Sequence, residues 1–172
     1  MKRALILGGA QSVHEDARQA MELFRPDVVV AVNNIGIEWP AVDHWVTLHP
    51  DPCPDWVGIK VAMARRLALG LNRPKVWCHR PDSRVDHHTT DWGGSSGLLA
   101  VKVAVLLGCR RIVLAGIPMD RSPHYDRAGN WLHAEKFHTA WIRRSHDLQG
   151  IVKSMSGWTR LKFGEPSAEW LE

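Results

Sequence analysis

Residues 93–116 read GGSSGLLAVKVAVLLGCRRIVLAG: a glycine and serine cluster, a helix-length segment that is apolar except for Lys102, a stop at Gly108, and a strand-length run from Arg111 to Ala115 ended by Gly116. A helix that is apolar all round must be buried, and a short apolar, β-branched run after it reads as a strand covered on both faces. A buried helix feeding a buried strand points to an α/β protein, and the same alternation extends in both directions along the chain.

Toward the N-terminus, Ala4 to Leu7 is an apolar run ended by Gly8-Gly9, and DVVVAV (Asp27 to Val32) is a second ended by Asn33-Asn34. His44 to Leu48 is a third that runs out at His49-Pro50, and Lys75 to Cys78 is a fourth. Between the first two, Val13, Ala17, Met21 and Phe24 recur at helical spacing, with Ser12 as N-cap, Glu15 completing a capping box and Pro26 as the stop. Trp56, Ile59, Met63, Leu67 and Leu71 predict a second amphipathic helix closed by Asn72 and Pro74, and His79 to Trp92 reads as a polar loop. Beyond Gly116, a polar stretch from Asp120 to Asn130 precedes a helix marked by Ala134, Phe137, Trp141 and Leu148. The tail from Val152 to Phe163 reads as one or two edge strands. The pattern predicts an α/β Rossmann-like three-layer sandwich with a mostly parallel sheet of about five strands plus a C-terminal edge strand or hairpin. Its 172 residues suit a single domain over 1–172.

Composition narrows the setting. With 45% hydrophobic residues, no apolar run approaches the roughly 18 residues of a membrane span. The opening MKRALILGGAQ carries a run shorter than a signal-peptide core and reads as a first strand. Cys53, Cys78 and Cys109 have no metal-type spacing, and their odd number speaks against a disulfide framework, so a cytoplasmic location is expected. The net charge of +4 is dispersed as arginine pairs (Arg65-Arg66, Arg110-Arg111, Arg143-Arg144), which suits an anionic ligand and equally suits solvated helix faces. A nucleic-acid partner is less favoured, because the basic balance lacks aromatic and basic interleaving. A homo-oligomer is compatible with the chain. Tryptophans beside loop junctions (Trp39, Trp56, Trp92, Trp131) read first as core and second as walls of a ligand cleft.

In open parallel sheets the ligand lies beyond the carboxyl ends of the strands. The residues there are Gly8, Gly9 and Ser12, then Asn33 and Asn34, His49 and Asp51, His79-Arg80, and Gly116. The first glycine turn offers backbone N–H groups to an anion, although GGAQSV is not G-x-G-x-x-G and such turns also serve tight packing. Gly94, Ser95, Ser96 and Gly97 offer a second set at the front of the buried helix; the alternative is that Ser95 or Ser96 only caps it. Asn33 and Asn34 suit a base or ribose edge or a left-handed turn, and His49 and Asp51 suit a sugar or acceptor or a turn in LHPDP. Two loops collect ionisable groups: Asp86, His87, His88 and Asp91 in the first, and Asp120, His124, Asp126 and His133 in the second. A histidine there suits a general base acting on a hydroxyl. Neither loop has zinc-type spacing, so no protein-held metal is expected, while magnesium carried by a nucleotide's phosphates would leave little trace.

GGSSGLLAVKVAVLLGCRRIVLAGIPMD resembles the segment shared by bacterial CMP-sialic-acid-dependent sialyltransferases of the lipooligosaccharide type and by motility accessory factor and 6-hydroxymethyldihydropterin pyrophosphokinase-like proteins. MKRALILGGAQSV, DVVVAVNN and WVTLHPDP are similar to their first three strands and turns, so the resemblance spans residues 1–52 and 92–125. It implies that Gly8, Gly9 and Ser12 border donor phosphates, that Asn33 touches the nucleotide, and that Ser95, Ser96 and Gly97 line the pocket. His124 in SPHY is similar to the sialyltransferases' base-bearing histidine, and His133 in LHA to a His-Ala of the accessory factors. Ala10-Gln11 replaces the families' usual Gly-Pro, and Pro118 stands where they carry Asp, with Asp120 two residues on as its substitute.

The resulting expectation is a nucleotide-binding transferase of glycosyltransferase type, using a nucleotide or nucleotide-sugar donor and an acceptor of unspecified class. His124 or His133 takes the acceptor proton, and Arg80 or Arg121 stabilises the departing phosphate. The alternatives are a pyrophosphokinase-like enzyme using ATP and magnesium near Asp51, Asp120 or Asp126, and a non-catalytic nucleotide-binding or scaffold module.

Overall fold

The apolar runs all become strands of one sheet. A computed structural model of the chain describes residues 1–66 and 73–172. Leu67, Leu71 and Asn72, expected at the end of the second amphipathic helix, lie outside the described residues. The described elements run β1 (Arg3–Leu7), α1 (Val13–Leu23), β2 (Val28–Val32), α2 (Ile35–Glu38), β3 (His44–Val46), α3 (Cys53–Arg66), β4 (Lys75–Cys78) and β5 (His87–His88). They continue with α4 (Ser96–Leu106), β6 (Arg111–Ala115), a 3-10 turn (Ala134–Phe137), α5 (His138–Leu148), β7 (Val152–Ser154), α6 (Gly157–Phe163) and α7 (Ala168–Leu171).

Among the described residues the sheet has seven strands in the order β5-β4-β3-β2-β1-β6-β7, and every pairing between them is parallel. The expected count of about five is corrected at both edges. The two-residue β5 lies in the segment read as a polar loop; its exposed histidines give no apolar signal, and it is held by pairing Trp77 with His87 and Cys78 with His88. At the other edge Val152–Ser154 pairs parallel to β6, so there is no hairpin, and the rest of the tail folds as α6 with Thr159 and Phe163 buried.

Alternate side chains of the central strands feed two cores, as a sheet covered on both faces requires. Ala4, Ile6, Ile112 and Leu114 join one core with Leu98 to Val101 of α4, Trp141 of α5 and Phe163 of α6. Leu5, Leu7, Val113 and Ala115 join the other with Val13, Ala17 and Ala20 of α1, Ile35 of α2 and Leu171 of α7. On α1 the buried stripe is Val13, Asp16, Ala17 and Ala20, while Met21 is exposed. The capping box does not form. Glu15 faces Arg18 and Gln19, and the Ser12 hydroxyl donates to Asp16 at 3.0 Å. Among the described residues no helix is long and apolar enough to cross a membrane. All three cysteines are buried and unpaired by disulfides.

The chain leaves β1 and β6, which are neighbours, toward opposite faces: α1 packs on one core and α5 on the other. Such a divergence opens a crevice at the carboxyl ends of the two strands.

Candidate functional site

The crevice is a cleft of about 750 Å³, within the roughly 300–1,000 Å³ of small-molecule sites. Its floor is Gly8 and Gly9 after β1, Val32 and Asn33 after β2, Leu48 and His49 after β3, and Gly116 to Asp120 after β6. One wall is the amino end of α4, Gly94 to Gly97; the other is the segment from Ser122 to His133, with Phe137 behind it.

At the α4 wall, Ser95 is the N-cap: its Oγ accepts the Leu98 N–H and the Trp141 indole N–H, both at 3.3 Å. Ser96 Oγ accepts the Leu48 N–H at 3.3 Å, tying the helix to β3. With Leu98 satisfied by the cap, the N–H groups of Ser96 and Gly97 have no protein acceptor among the described residues. They face the cleft at the positive end of an eleven-residue buried helix. Capping and free donors therefore coexist: Ser95 caps, and the two following amides stay open.

The first glycine turn differs. Gly8 N–H donates to the Ala115 carbonyl at 2.8 Å, Ala10 N–H to Gly116 at 3.0 Å and Gln11 N–H to Pro123 at 2.8 Å. A Cβ at Gly8 would lie 2.3 Å from the Gly116 oxygen, and one at Gly9 would lie 2.3 Å from His124 Nε2. These glycines let β1, β6 and the His124 segment close on one another; the Gly8, Ala10 and Gln11 amides are engaged, while the Gly9 N–H, on the cleft floor, has no protein acceptor among the described residues. Ser12 is directed away from the cleft, toward Asp16 and Ser156.

Among the described residues two other than glycine have positive φ, Asn33 (56°) and Met119 (51°), and both line the cleft. Asn33 tolerates this well, and its side-chain oxygen accepts the Thr47 hydroxyl at 2.9 Å. Its amide nitrogen has no protein partner among the described residues. Met119 carries strain of order 1 kcal/mol; its carbonyl accepts His138 Nε2 at 2.6 Å, and the His138 ring stacks on Trp158 at 3.9 Å.

His124 is the ionisable group that the structure orients most closely. Its Nδ1 lies 2.5 Å from Asp126 Oδ1, and the other carboxylate oxygen accepts the Asn34 amide. A carboxylate only accepts, so Nδ1 carries the proton, and Nε2, packed over Gly9 at the cleft floor, has no protein hydrogen-bond partner among the described residues. An antiparallel bridge between Ala10 and His124 fixes the backbone beneath the ring. Asn34 lies behind this relay and does not line the cleft. The sequence marks Asp126 as a site candidate but not as the partner of His124, because a His-x-Asp spacing carries no signal until the backbone turns both side chains to one side.

His133 and His49 line the cleft as exposed side chains. Asp120 lines it too, but its Oδ1 accepts both the N–H and the hydroxyl of Ser122, which closes the turn after β6. Asp51 points out of the site, 74% exposed, and pairs with Arg84. Arg121 pairs with Glu135 on the surface, and neither it nor Arg80 lines the cleft; the arginine that does is Arg127. The first polar loop, Asp86 to Asp91, is remote, since His87 and His88 form the far edge strand. Trp39 and Trp56 pack on one core and Trp92 on the other, whereas Trp131 is a cleft wall.

Among the described residues no three His, Cys, Asp or Glu side chains converge as metal ligands. Asp51, Asp120 and Asp126 are engaged by Arg84, Ser122 and the His124–Asn34 pair respectively. No protein-family model, curated protein or solved structure matches the chain significantly.

Proposed function

We propose that this chain is a nucleotide-binding transferase that moves a group from a phosphate-activated donor, of the nucleotide-sugar kind, to a hydroxyl acceptor. The observation that carries the reading is His124, held through Nδ1 by Asp126 with Nε2 unpartnered over Gly9 among the described residues, in the cleft that also holds the open amides of Ser96 and Gly97.

The chemistry follows from that pairing. The α4 amides and Arg127 hold the donor phosphate, whose negative charge grows as its bond to the transferred group breaks. The acceptor oxygen forms the new bond while its proton passes to His124 Nε2, and Asp126 stabilises the resulting imidazolium. Asn33 offers an amide to the nucleotide. The resemblance to the lipooligosaccharide sialyltransferases and motility accessory factors supports the same reading by analogy.

Calorimetric titration with CMP, CDP, UDP, GDP and ATP, each with and without magnesium, tests it. Binding of a nucleoside mono- or diphosphate without metal, followed by transfer that His124→Ala lowers about 10²-fold or more, is the expected result. ATP binding that requires magnesium favours pyrophosphoryl transfer instead, and binding without turnover in the presence of acceptors favours a sensing module. Absence of binding across the panel overturns the reading.

A further inference from the structure

The cleft wall opposite α4 carries an aromatic surface that the donor chemistry does not use. Trp131 lines the cleft and remains 39% exposed, and its neighbour Leu132 is 65% exposed. Phe137 backs the indole at 5.5 Å with the rings 28° apart, and Phe137 is itself packed against the core. Exposed apolar surface inside a concave site is the usual mark of a ligand contact.

This shelf and the base share one piece of backbone. Trp131 N–H donates to the Ser122 carbonyl at 3.4 Å, Pro123 bridges Asn130, and His124 bridges Ala10. The segment from Ser122 to Trp131 is thus a closed excursion with His124 near its start and the indole at its end. Whatever lies on Trp131 is placed by the same loop that places Nε2 of His124.

We infer that the Trp131–Phe137 shelf is the acceptor subsite and that it takes a saccharide ring. The inference rests on the transferase reading. A pyranose has an apolar C–H face, which an indole covers, and a fringe of hydroxyls. The shelf shares the cleft with Asn130 and His133, which can donate to and accept from hydroxyls, and with Ser122, whose hydroxyl donates to Asp120 and can accept. A base on this loop needs a hydroxyl to deprotonate, which a saccharide supplies and a nucleobase ring does not.

The test uses the full-length chain labelled with 15N, with the Trp131 indole signal identified by Trp131→Phe. Methyl β-galactopyranoside and methyl β-glucopyranoside are titrated separately, each alone and with CMP present. At least one glycoside is expected to shift the Trp131 indole N–H and the His124 ring signals saturably, Trp131→Phe to retain the shift at His124, and Trp131→Ala to weaken binding about tenfold. Unchanged indole signals of the buried Trp45 and Trp141 in Trp131→Ala certify that the variant is folded. If neither glycoside moves Trp131 with or without CMP, or if CMP alone moves it, the shelf is not a saccharide subsite. CMP shifts at the Ser96 and Gly97 amides report on the donor site separately, so failure of the shelf and failure of the transferase reading are distinguishable.

Discussion

Asp16 and Gly116 are 100 residues apart in the chain, and Oδ2 of the one accepts the backbone N–H of the other at 2.8 Å. The same oxygen accepts the hydroxyls of Ser156 at 2.6 Å and Ser12 at 3.0 Å, and the residue is only 6% exposed. One buried carboxylate therefore joins α1, the exit of β6 and the loop after β7 beneath the cleft floor. Hydrogen bonds to a charged group are worth more than neutral ones, and donors left unmatched in the interior are costly. We predict that Asp16→Ala lowers the unfolding free energy by about 3 kcal/mol in urea titrations. Asp16→Asn, which keeps an acceptor for Gly116, should lose less than half as much. Equal losses in the two variants would show that a neutral amide acceptor does not replace the carboxylate in this network, and small losses in both that the network contributes little.

Gly116 itself has φ +67°, and a Cβ there would stand 2.5 Å from that of Val13. Gly150 has a similar φ of +76° with nothing within 4 Å. The pair separates backbone strain from crowding. Gly150→Ala is predicted to cost about 1 kcal/mol, the left-handed penalty alone. Gly116→Ala adds about 1–3 kcal/mol of overpacking. Chemical denaturation of both variants checks the difference, and equal costs would mean that α1 yields to the added methyl.

The hydrogen-bonded tautomer of His124 is a further expectation. In neutral His124 the proton belongs on Nδ1 because Asp126 Oδ1 is 2.5 Å away. Long-range 15N–1H correlation spectra should show the Nδ1–H form in the native chain and a shift toward Nε2–H in Asp126→Ala. Asn34→Ala, which removes a donor from the far side of the same carboxylate, should leave the tautomer in place while loosening Asp126. An Nε2–H signal in the native chain would remove the free lone pair on which the proposed base depends.

The strands were legible because apolar runs such as ALIL, VVVAV and RIVLA are buried on both faces, so burial is written into every residue. The edge strand β5 was not, since His87 and His88 are exposed and owe their conformation to pairing with β4. Ser12 and Glu15 have the spacing of a capping box, yet Asp16 captures the Ser12 hydroxyl from within the fold. For the site, the rule that ligands lie beyond strand ends led to Asn33, His49 and Gly116, because chain topology alone sets those positions. It misplaced Ser12, Asn34 and Asp51, whose side chains answer to Asp16, Asp126 and Arg84. Partners so distant in sequence leave no local pattern; only the folded chain reveals them.

Asp86 gives an acid-side prediction. Burial opposes its ionisation, but the Val76 N–H at 2.8 Å and Arg73 at 2.7 Å outweigh it and hold the carboxyl below its ordinary value. A depressed folded pKa means that the unfolded chain binds the proton more tightly. The stabilisation is therefore complete above the unfolded value near 4 and is lost as pH falls through the folded one. Asp86→Ala should cost about 1–3 kcal/mol at pH 7, with the gap to the native chain closing below about pH 4. A gap that stays constant with pH would assign the loss to packing of β4 against β5 and not to the charge.

Lys60 titrates in the opposite regime. It is 4% exposed on α3, its ammonium donates to the Trp39 carbonyl, and burial pushes its pKa below the usual lysine value. Here the folded chain binds the proton less tightly than the unfolded one. The penalty is full below the folded pKa and is relieved as pH rises toward the unfolded value near 10.4. Lys60→Met keeps the length of the side chain and removes the buried charge, at the expense of the donor to Trp39. Because a buried ammonium with one acceptor among the described residues is costlier than one unmatched carbonyl, the variant should unfold at a higher urea concentration than the native chain at pH 7. That advantage should shrink as the comparison is repeated toward pH 10. A variant less stable at pH 7 would mean that the hydrogen bond to Trp39, which anchors α3 to the segment leading into β3, outweighs the cost of the charge.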